Sequence, residues 1–351
     1  MNIVDSKLIL SMAPVSIKKF DGYKDIPEFR EAYDNASIYI IAKRPVTIMR
    51  IVNTDSELQK FFDASDGDQS LLQKKSESET LNAHLVQENL RMIGTGRMLA
   101  LEVAQPSSAK ILKGLYILPE DVDAKSAINE LNKFSFEELL FMSSLGIGSF
   151  SCCGDIASFL TYDVLYVGRC VDEPLTTRFK AHHALQRMLI HEEVISAGFS
   201  NSDELVILPF FSQADTVSVI TGDTSEADFI KAFTNSFSYG KREVDLDCEK
   251  ALVHGMNPKY NEIRFKDYPN SKDGLYSSEA DIYSYTIAMN LILKYDKGLV
   301  YGSPNGTYAS KIVGDRFDDT VTIYGPGCDY VHKCSDRIFS SLPGAKKTTP
   351  G

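Results

Sequence analysis

No apolar run in this chain of 351 residues approaches the roughly 18 residues that suggest a membrane span. "KLILSMAPVSIKKF" near the start is too short, and too broken by Pro14 and polar residues, to read as a signal peptide. A disulfide framework is also missing: Cys152, Cys153, Cys170, Cys248, Cys328 and Cys334 are scattered without rhythm, which fits a reducing compartment. These absences point to a soluble, cytoplasmic protein that makes no membrane contact, and the sequons at Asn35 and Asn305 are then idle. Basic charge is scarce as well, with 37 Lys and Arg against 48 Asp and Glu and a formal net charge of −11. A surface that clings everywhere to phosphate is excluded, so any nucleic-acid contact must be local. There is no internal repeat. The acids of "DASDGDQS" lack the alternate-ligand spacing and closing Glu of a calcium loop, so this stretch and "QKKSESET" read as exposed loop and helix entry.

What is present is a 43% hydrophobic chain, enough for a sizeable core and more naturally two or three domains than one. The fold class expected is α/β (α+β). Residues 1–145 read as an N-terminal α/β domain of unknown role, with β-rich "ASIYIIAKRPVTIMRIV" and a helical pattern in "LNAHLVQENLRMIG". "AINELNKFSFEELLFMSSLG" reads as a helix or helix pair ending near Gly146, and "GIGSFSCCG" after it makes a poor phosphate loop. Residues 146–275 form the second expected domain, a small sheet flanked by helices. Residues 276–351 read as a β-rich extension, with turns at Lys297-Gly298 and Asn305-Gly306 and an unstructured tail "PGAKKTTPG".

The middle segment carries the chemical signal. "LTYDVLYVGRC" alternates into Val164 and Tyr166 and closes on Gly168, as a strand does when it enters a loop. In "EPLTTRFKAHHALQRMLIHEEVI" a helix starting at Pro174 would align Arg178, His182, Leu185 and Leu189 on one face. "DELVILPFF" reads as a strand and "SEADFIKAFTNSFSYG" as a helix. In "CEKALVHGMNPKYN", Leu252, Val253 and Met256 follow Glu249 on the stripe that faces the interior, and Pro-Lys-Tyr-Asn ends this short helix.

"LYVG", then "RFKAHH", then "EKALVHGMNPKYN" resembles, in order and spacing, the GIY-YIG endonuclease superfamily, which includes the first nuclease domain of the bacterial excision-repair incision enzyme and many homing and restriction nucleases. The likeness covers roughly 150–275. The family's first motif, a Gly-Ile-Tyr strand, is expected about ten residues before the second, yet "CCGDIASF" there contains no tyrosine. Tyr162 is the nearest candidate; four residues before Tyr166, it would share its face of an unbroken strand and could fill the vacancy only with a change of strand register.

The resemblance implies a metal-dependent endonuclease acting on DNA, with Tyr166, Arg178, His182, Glu249 and Asn261 as catalytic residues converging in one cleft. Glu249 would hold Mg²⁺ (or Mn²⁺), Arg178 would clamp the scissile phosphate, and Tyr166 with His182 or Tyr162 would position or deprotonate water. Asn261 would fix the turn and the site wall. Arg169, Lys241, Arg242 and Lys259 would supply the local basic contacts to substrate, although the Lys241-Arg242 pair also fits a solvated surface. The alternative is a catalytically silent module of the same fold that binds nucleic acid or protein, and an oligomer is compatible with either. On residue type alone, Tyr166 also fits half-buried packing, Arg178 a surface ion pair, and His182 a helix-surface position. Glu249 fits the positive end of a helix capped at Asp245 or Asp247, and Asn261 an ordinary turn. Cys328, His332 and Cys334 fall short of the four ligands of structural zinc and read as free thiols and a lone imidazole.

Overall fold

The computed structural model describes residues 2–52, 98–117, 134–145, 147–153, 156–181, 183–193, 203–218, 225–227, 230, 239–268, 273–275, 282–296, 298–302, 320–324 and 331–333. The strands are β1 (Asn2–Leu10), β2 (Val15–Ser16), β3 (Ile38–Pro45), β4 (Ile48–Val52), β5 (Met98–Gln105), β6 (Lys110–Ile117), β7 (Ser149–Cys153), β8 (Thr161–Arg169), β9 (Asp203–Ser218), β10 (Ile282–Ile287), β11 (Ile292–Tyr295), β12 (Gly298–Tyr301), β13 (Thr320–Tyr324) and β14 (Val331–Lys333). The helices are α1 (Ile17–Tyr23), α2 (Pro27–Asp34), α3 (Phe136–Ser144), α4 (Ile156–Phe159), α5 (Leu175–Arg178), α6 (His183–Met188) and α7 (Lys241–Met256). The protein is α/β, and the chain divides into two compact units: 1–44, 161–195 and 205–351 form the first, 45–160 and 196–204 the second.

The first unit is built on a mixed ten-stranded sheet in the order β12-β11-β8-β3-β9-β1-β10-β13-β14, with β2 paired to β9. Its parallel pairs, β1 with β10 and β8 with β11, join strands far apart in sequence. The expected boundaries at 145 and 275 therefore do not describe this chain. Strands from 1–45, 161–218 and 282–333 share one sheet, and the larger part of the second unit, 45–160, is an insertion between β3 and β8. The β-rich stretch after Ala36 is split accordingly, β3 in one unit and β4 in the other.

Burial explains why β3 shows a continuous apolar run instead of alternation. On one face Tyr39 and Ile41 join a core with Phe20 of α1, Tyr33 of α2, Leu175 of α5, and Leu185 and Met188 of α6. Ile38, Ile40 and Ala42, of the opposite parity, are equally buried. A strand covered on both faces needs apolar residues at every position.

The second unit holds the antiparallel sheet β4-β5-β6-β7. Ser135 and Glu138 form a reciprocal cap at the start of α3, each bonding the other's backbone N–H. That fixes Phe136 and Leu139 against Leu101, Val103, Leu112 and Tyr116 of the sheet.

Two helix expectations are corrected. The segment after Pro174 is not one helix but α5, a 3₁₀ turn at Phe179–Ala181, α6 and a π turn at Leu189–Glu193, so a single 3.6-residue stripe does not run through it. The helix carrying Glu249 is not short: it starts at Lys241 after the N-cap Gly240 and runs for 16 residues. It stops where the sequence says, at Asn257 in the left-handed region (φ 50°) followed by Pro258. The calcium-like loop, the helix in "LNAHLVQENLRMIG", the Asn305-Gly306 turn, Cys328, Cys334 and the tail lie outside the described residues.

Candidate functional site

The site begins at the β3/β8 pair. These strands are antiparallel, with Ile41 opposite Tyr166 and Tyr39 opposite Gly168. The register then jumps: Ala42 faces Val164, leaving Leu165 as the extra residue of a bulge. An extra residue reverses the alternation. Tyr166 therefore emerges on the Tyr39 face, while Tyr162 points to the other, fully buried beneath the Arg44 guanidinium at 5.8 Å from its ring centroid. The expectation that Tyr162 shares a face with Tyr166 fails for this reason, and Tyr162 does not substitute for the missing tyrosine.

The bulge is held open from outside the sheet. The Leu165 carbonyl accepts the Tyr260 backbone N–H at 3.0 Å. One residue on, the Asn261 amide bonds both backbone groups of Val167, accepting from its N–H at 2.9 Å and donating to its carbonyl at 2.7 Å. β11 pairs with β8 only as far as Asp163, so this side chain stands in for a neighbouring strand residue. Asn261 thus fixes the site wall. Asn261→Ala leaves two buried backbone groups unpaired and is expected to cost about 2 kcal/mol or more, measurable by urea denaturation. A loss below about 0.5 kcal/mol would mean that water replaces the amide.

Gly168 has a specific spatial cause. A Cβ built there would lie 2.5 Å from the Tyr39 hydroxyl and 2.8 Å from the Tyr166 ring. Its absence lets the two tyrosine rings lie side by side, with centroids 5.9 Å apart, and Phe179 closes the other side of Tyr39 at 5.3 Å. The Tyr39 hydroxyl then accepts a hydrogen bond from Arg178 Nε at 3.1 Å. Burial first, and Tyr166 next, push the Tyr39 phenol well above its usual range, so it stays protonated at neutral pH. Arg178 ends α5, whose start is pinned to α2: Asp34 accepts from the Thr176 N–H at 3.0 Å and from its hydroxyl at 2.7 Å.

α7 supplies the acid from the far side. Asp245 accepts from the Ser37 hydroxyl at 2.8 Å and from Ser212. Asp247 accepts from the hydroxyls of Tyr268 and Tyr285 at 2.6 and 2.5 Å and from the Leu275 N–H at 3.1 Å. Neither is a cap, and Glu249 lies well inside the helix, so attraction to a helix end does not explain it. Glu249 faces a cleft of about 720 Å³ whose wall also includes Tyr166, Arg169, Arg178, His183, Asn261 and Asp273. Glu249 forms an ion pair with Arg169, Nε to Oε2 at 3.4 Å. Burial raises the Glu249 carboxyl above its usual range, and Arg169, Arg178 and Lys250 only partly offset this. Asp273 is engaged by Lys250, which donates to its carbonyl at 3.0 Å and to its carboxylate, holding that carboxyl low.

Tyr166, Arg178, Glu249 and Asn261 are therefore brought together, with Arg169 among them. Comparison with protein-family models, with curated proteins and with solved structures finds no match.

The other basic residues lie elsewhere. Lys241 and Arg242 line a separate pocket of about 300 Å³ with Asp34, Cys170 and Asp245, and Arg242 is paired with Asp172 at 2.5 Å. Lys259 is on the outer side of the turn, 2.7 Å from Glu192. Burial pushes the Glu192 carboxyl up, but hydrogen bonds from Lys259, Tyr260 and Lys43 bring it down to about 2. These pairs brace the turn against β3 and the π turn. His182 lies outside the described residues; His183, exposed, is the neighbouring imidazole that reaches the cleft. Tyr39 was missed by the sequence reading. Its signal, "SIY" ahead of an apolar strand, was present in the sequence but sat far from where the family spacing directs attention.

Among the described residues no group of three or more His, Cys, Asp or Glu could hold a metal. Glu249 is the desolvated carboxylate of the cleft; Glu173, Glu262 and Asp273 also line it, Asp273 already paired with Lys250. Glu249 fits Mg²⁺ or Mn²⁺ in the mode where one protein oxygen binds and water and substrate phosphate complete the shell. It does not fit zinc or calcium, which demand several protein ligands.

Proposed function

We propose that this protein is a GIY-YIG-like endonuclease that hydrolyses DNA phosphodiester bonds with a divalent metal. The observation that supports this best is the contact of the Tyr39 and Tyr166 rings, 5.9 Å between centroids on adjacent strands, beside Arg178, Glu249 and Asn261. "SIY" on β3 and "YVG" on β8 then take the places of the two name-giving motifs, separated by an inserted unit.

In this reading Glu249 holds the metal, which when bound supplies positive charge against the phosphate and lowers the pKa of water. Arg178, its Nε fixed by Tyr39, turns the rest of its planar fork to the scissile phosphate and stabilises the charge that builds there. Tyr166 lines the cleft beside it and orients the attacking water through its hydroxyl. A histidine of the 182–183 pair takes or returns a proton, with His183 in the cleft. Asn261 keeps Tyr166 and Arg169 in register by holding the Val167 backbone between them.

The silent-module reading has one observation of its own. Arg169, Arg178 and Lys250 share the cleft with Glu173, Glu249, Glu262 and Asp273, so it is not a basic groove. Nucleic-acid affinity is accordingly expected to be weak, and log K against log salt shallow, reflecting a few phosphate contacts; fluorescence anisotropy over a salt series measures it. A slope implying about ten contacts would mean a basic surface beyond this cleft, such as one completed by a second copy. Mg²⁺-dependent cleavage of single-stranded, duplex or branched DNA tests the enzyme directly, and binding without cleavage on all three leaves the silent module. The cytoplasmic location belongs with this proposal. What is observed is that Cys170 and Cys248 are unpaired thiols, and that among the described residues no helix is long and apolar enough to cross a membrane.

A further inference from the structure

The two cleft arginines differ in freedom. Arg178 is tied through Nε to the buried Tyr39 hydroxyl, whereas Arg169 sits at the open end of β8 with its side chain 29% exposed and its Nε 3.4 Å from Glu249 Oε2. That distance exceeds the roughly 2.7–2.9 Å of a close charge-assisted hydrogen bond, so the pair is held by charge and not by a tight fork. Glu249 is only 13% exposed on its side chain. A desolvated carboxylate needs a counter-cation, and Arg169 is the first of those that favour its ionised form.

Resting on the reading of Glu249 as the metal-holding carboxylate, we propose that Arg169 is a metal-gated arm. It neutralises Glu249 in the metal-free protein, and a divalent ion displaces it toward the substrate phosphate. Guanidinium and dication compete for one carboxylate and repel each other across a few ångströms. Once displaced, the guanidinium stays in the cleft, where its planar fork suits a phosphate beside the one that Arg178 clamps. Metal and nucleic acid then bind with positive coupling, and linkage makes that coupling reciprocal. The arm is a positioning residue whose resting partner is the metal ligand itself.

The test uses the full chain and reads binding, not turnover. Mn²⁺ affinity is measured by calorimetry or by electron paramagnetic resonance without DNA. Affinity for a cleavage-resistant phosphorothioate oligonucleotide is measured by anisotropy with Mn²⁺ and again with EDTA. Arg169→Gln is expected to bind Mn²⁺ about tenfold more tightly than wild type, from the removal of one repelling charge. It is also expected to lose most of the metal-dependent gain in oligonucleotide affinity. Arg169→Lys keeps the charge and is expected to stay near wild type in metal affinity, which covers the case of a Gln variant that does not fold. Tighter Mn²⁺ binding by wild type as oligonucleotide is added is a third expected result and needs no variant. Unchanged or weaker Mn²⁺ affinity in Arg169→Gln, with Glu249→Gln still abolishing it, overturns the arm and spares the metal site. Absence of Mn²⁺ binding in wild type, with or without DNA, removes both.

Discussion

Glu249→Gln is expected to abolish Mg²⁺-dependent cleavage and, in the same protein, to raise the melting temperature of the metal-free form. The two effects share a cause. Removing the anionic oxygen removes the proposed metal ligand, so no cleavage should survive on any DNA substrate. Burial raises the Glu249 carboxyl above its ordinary value of 4.5, so the folded state prefers the neutral acid more than the unfolded chain does. Stability linked to that proton is fully present below the unfolded pKa and is lost as pH rises through the higher folded one. At neutral pH wild type therefore carries a buried charge whose desolvation Arg169 and its neighbours only partly offset, a cost the neutral amide lacks. Thermal melts from pH 4 to pH 8 check the sign: the variant's advantage should be greatest at neutral pH and shrink on acidification. Mg²⁺ should then raise the melting temperature of wild type alone, since a ligand stabilises only the state that binds it. Cleavage that persists in the variant would sink the metal assignment. A variant less stable than wild type at pH 8 would mean that the Arg169 pair outweighs desolvation.

Tyr39→Phe is expected to lower kcat by about 10²-fold, the usual consequence of a catalytic group displaced by an ångström or so, with KM and melting temperature nearly unchanged. The substitution removes one buried hydroxyl and no ring packing. Arg178 Nε loses its acceptor, and the guanidinium swings away from its set direction. Gly168→Ala attacks the same contact from the other strand. Its methyl would meet both tyrosine rings, and Tyr39 cannot retreat because Phe179 and the surrounding core hold it. Overpacking of this kind costs about 1–3 kcal/mol, so here the melting temperature should fall together with kcat. Single-turnover kinetics and calorimetric melts on the two variants separate the effects. If Tyr39→Phe left kcat unchanged, Tyr39 would be core packing and its bond to Arg178 incidental.

Local pattern was enough for the β8 strand closing on Gly168, the Asn257-Pro258 stop, and the inward aspect of Glu249. Each depends on neighbours within a few residues: alternation along a strand, a left-handed cap before proline, and 3.6-residue spacing ahead of Leu252 and Met256. The α/β class followed from the same alternation and spacing, summed over segments. Tertiary structure alone decided the rest. "KREVDLDCEK" does not look like a buried helix, because Asp245 and Asp247 are acceptable inside only through hydroxyls brought by Ser37, Ser212, Tyr268 and Tyr285 from elsewhere in the chain. The bulge at Leu165 reverses the face of Tyr166, and it exists because Tyr260 and Asn261 occupy the backbone groups it exposes. Tyr39 reaches Arg178 because β3 and β8 pair across an inserted unit, and strand pairing is set by backbone hydrogen bonds and shared burial, which carry no mark of sequence distance.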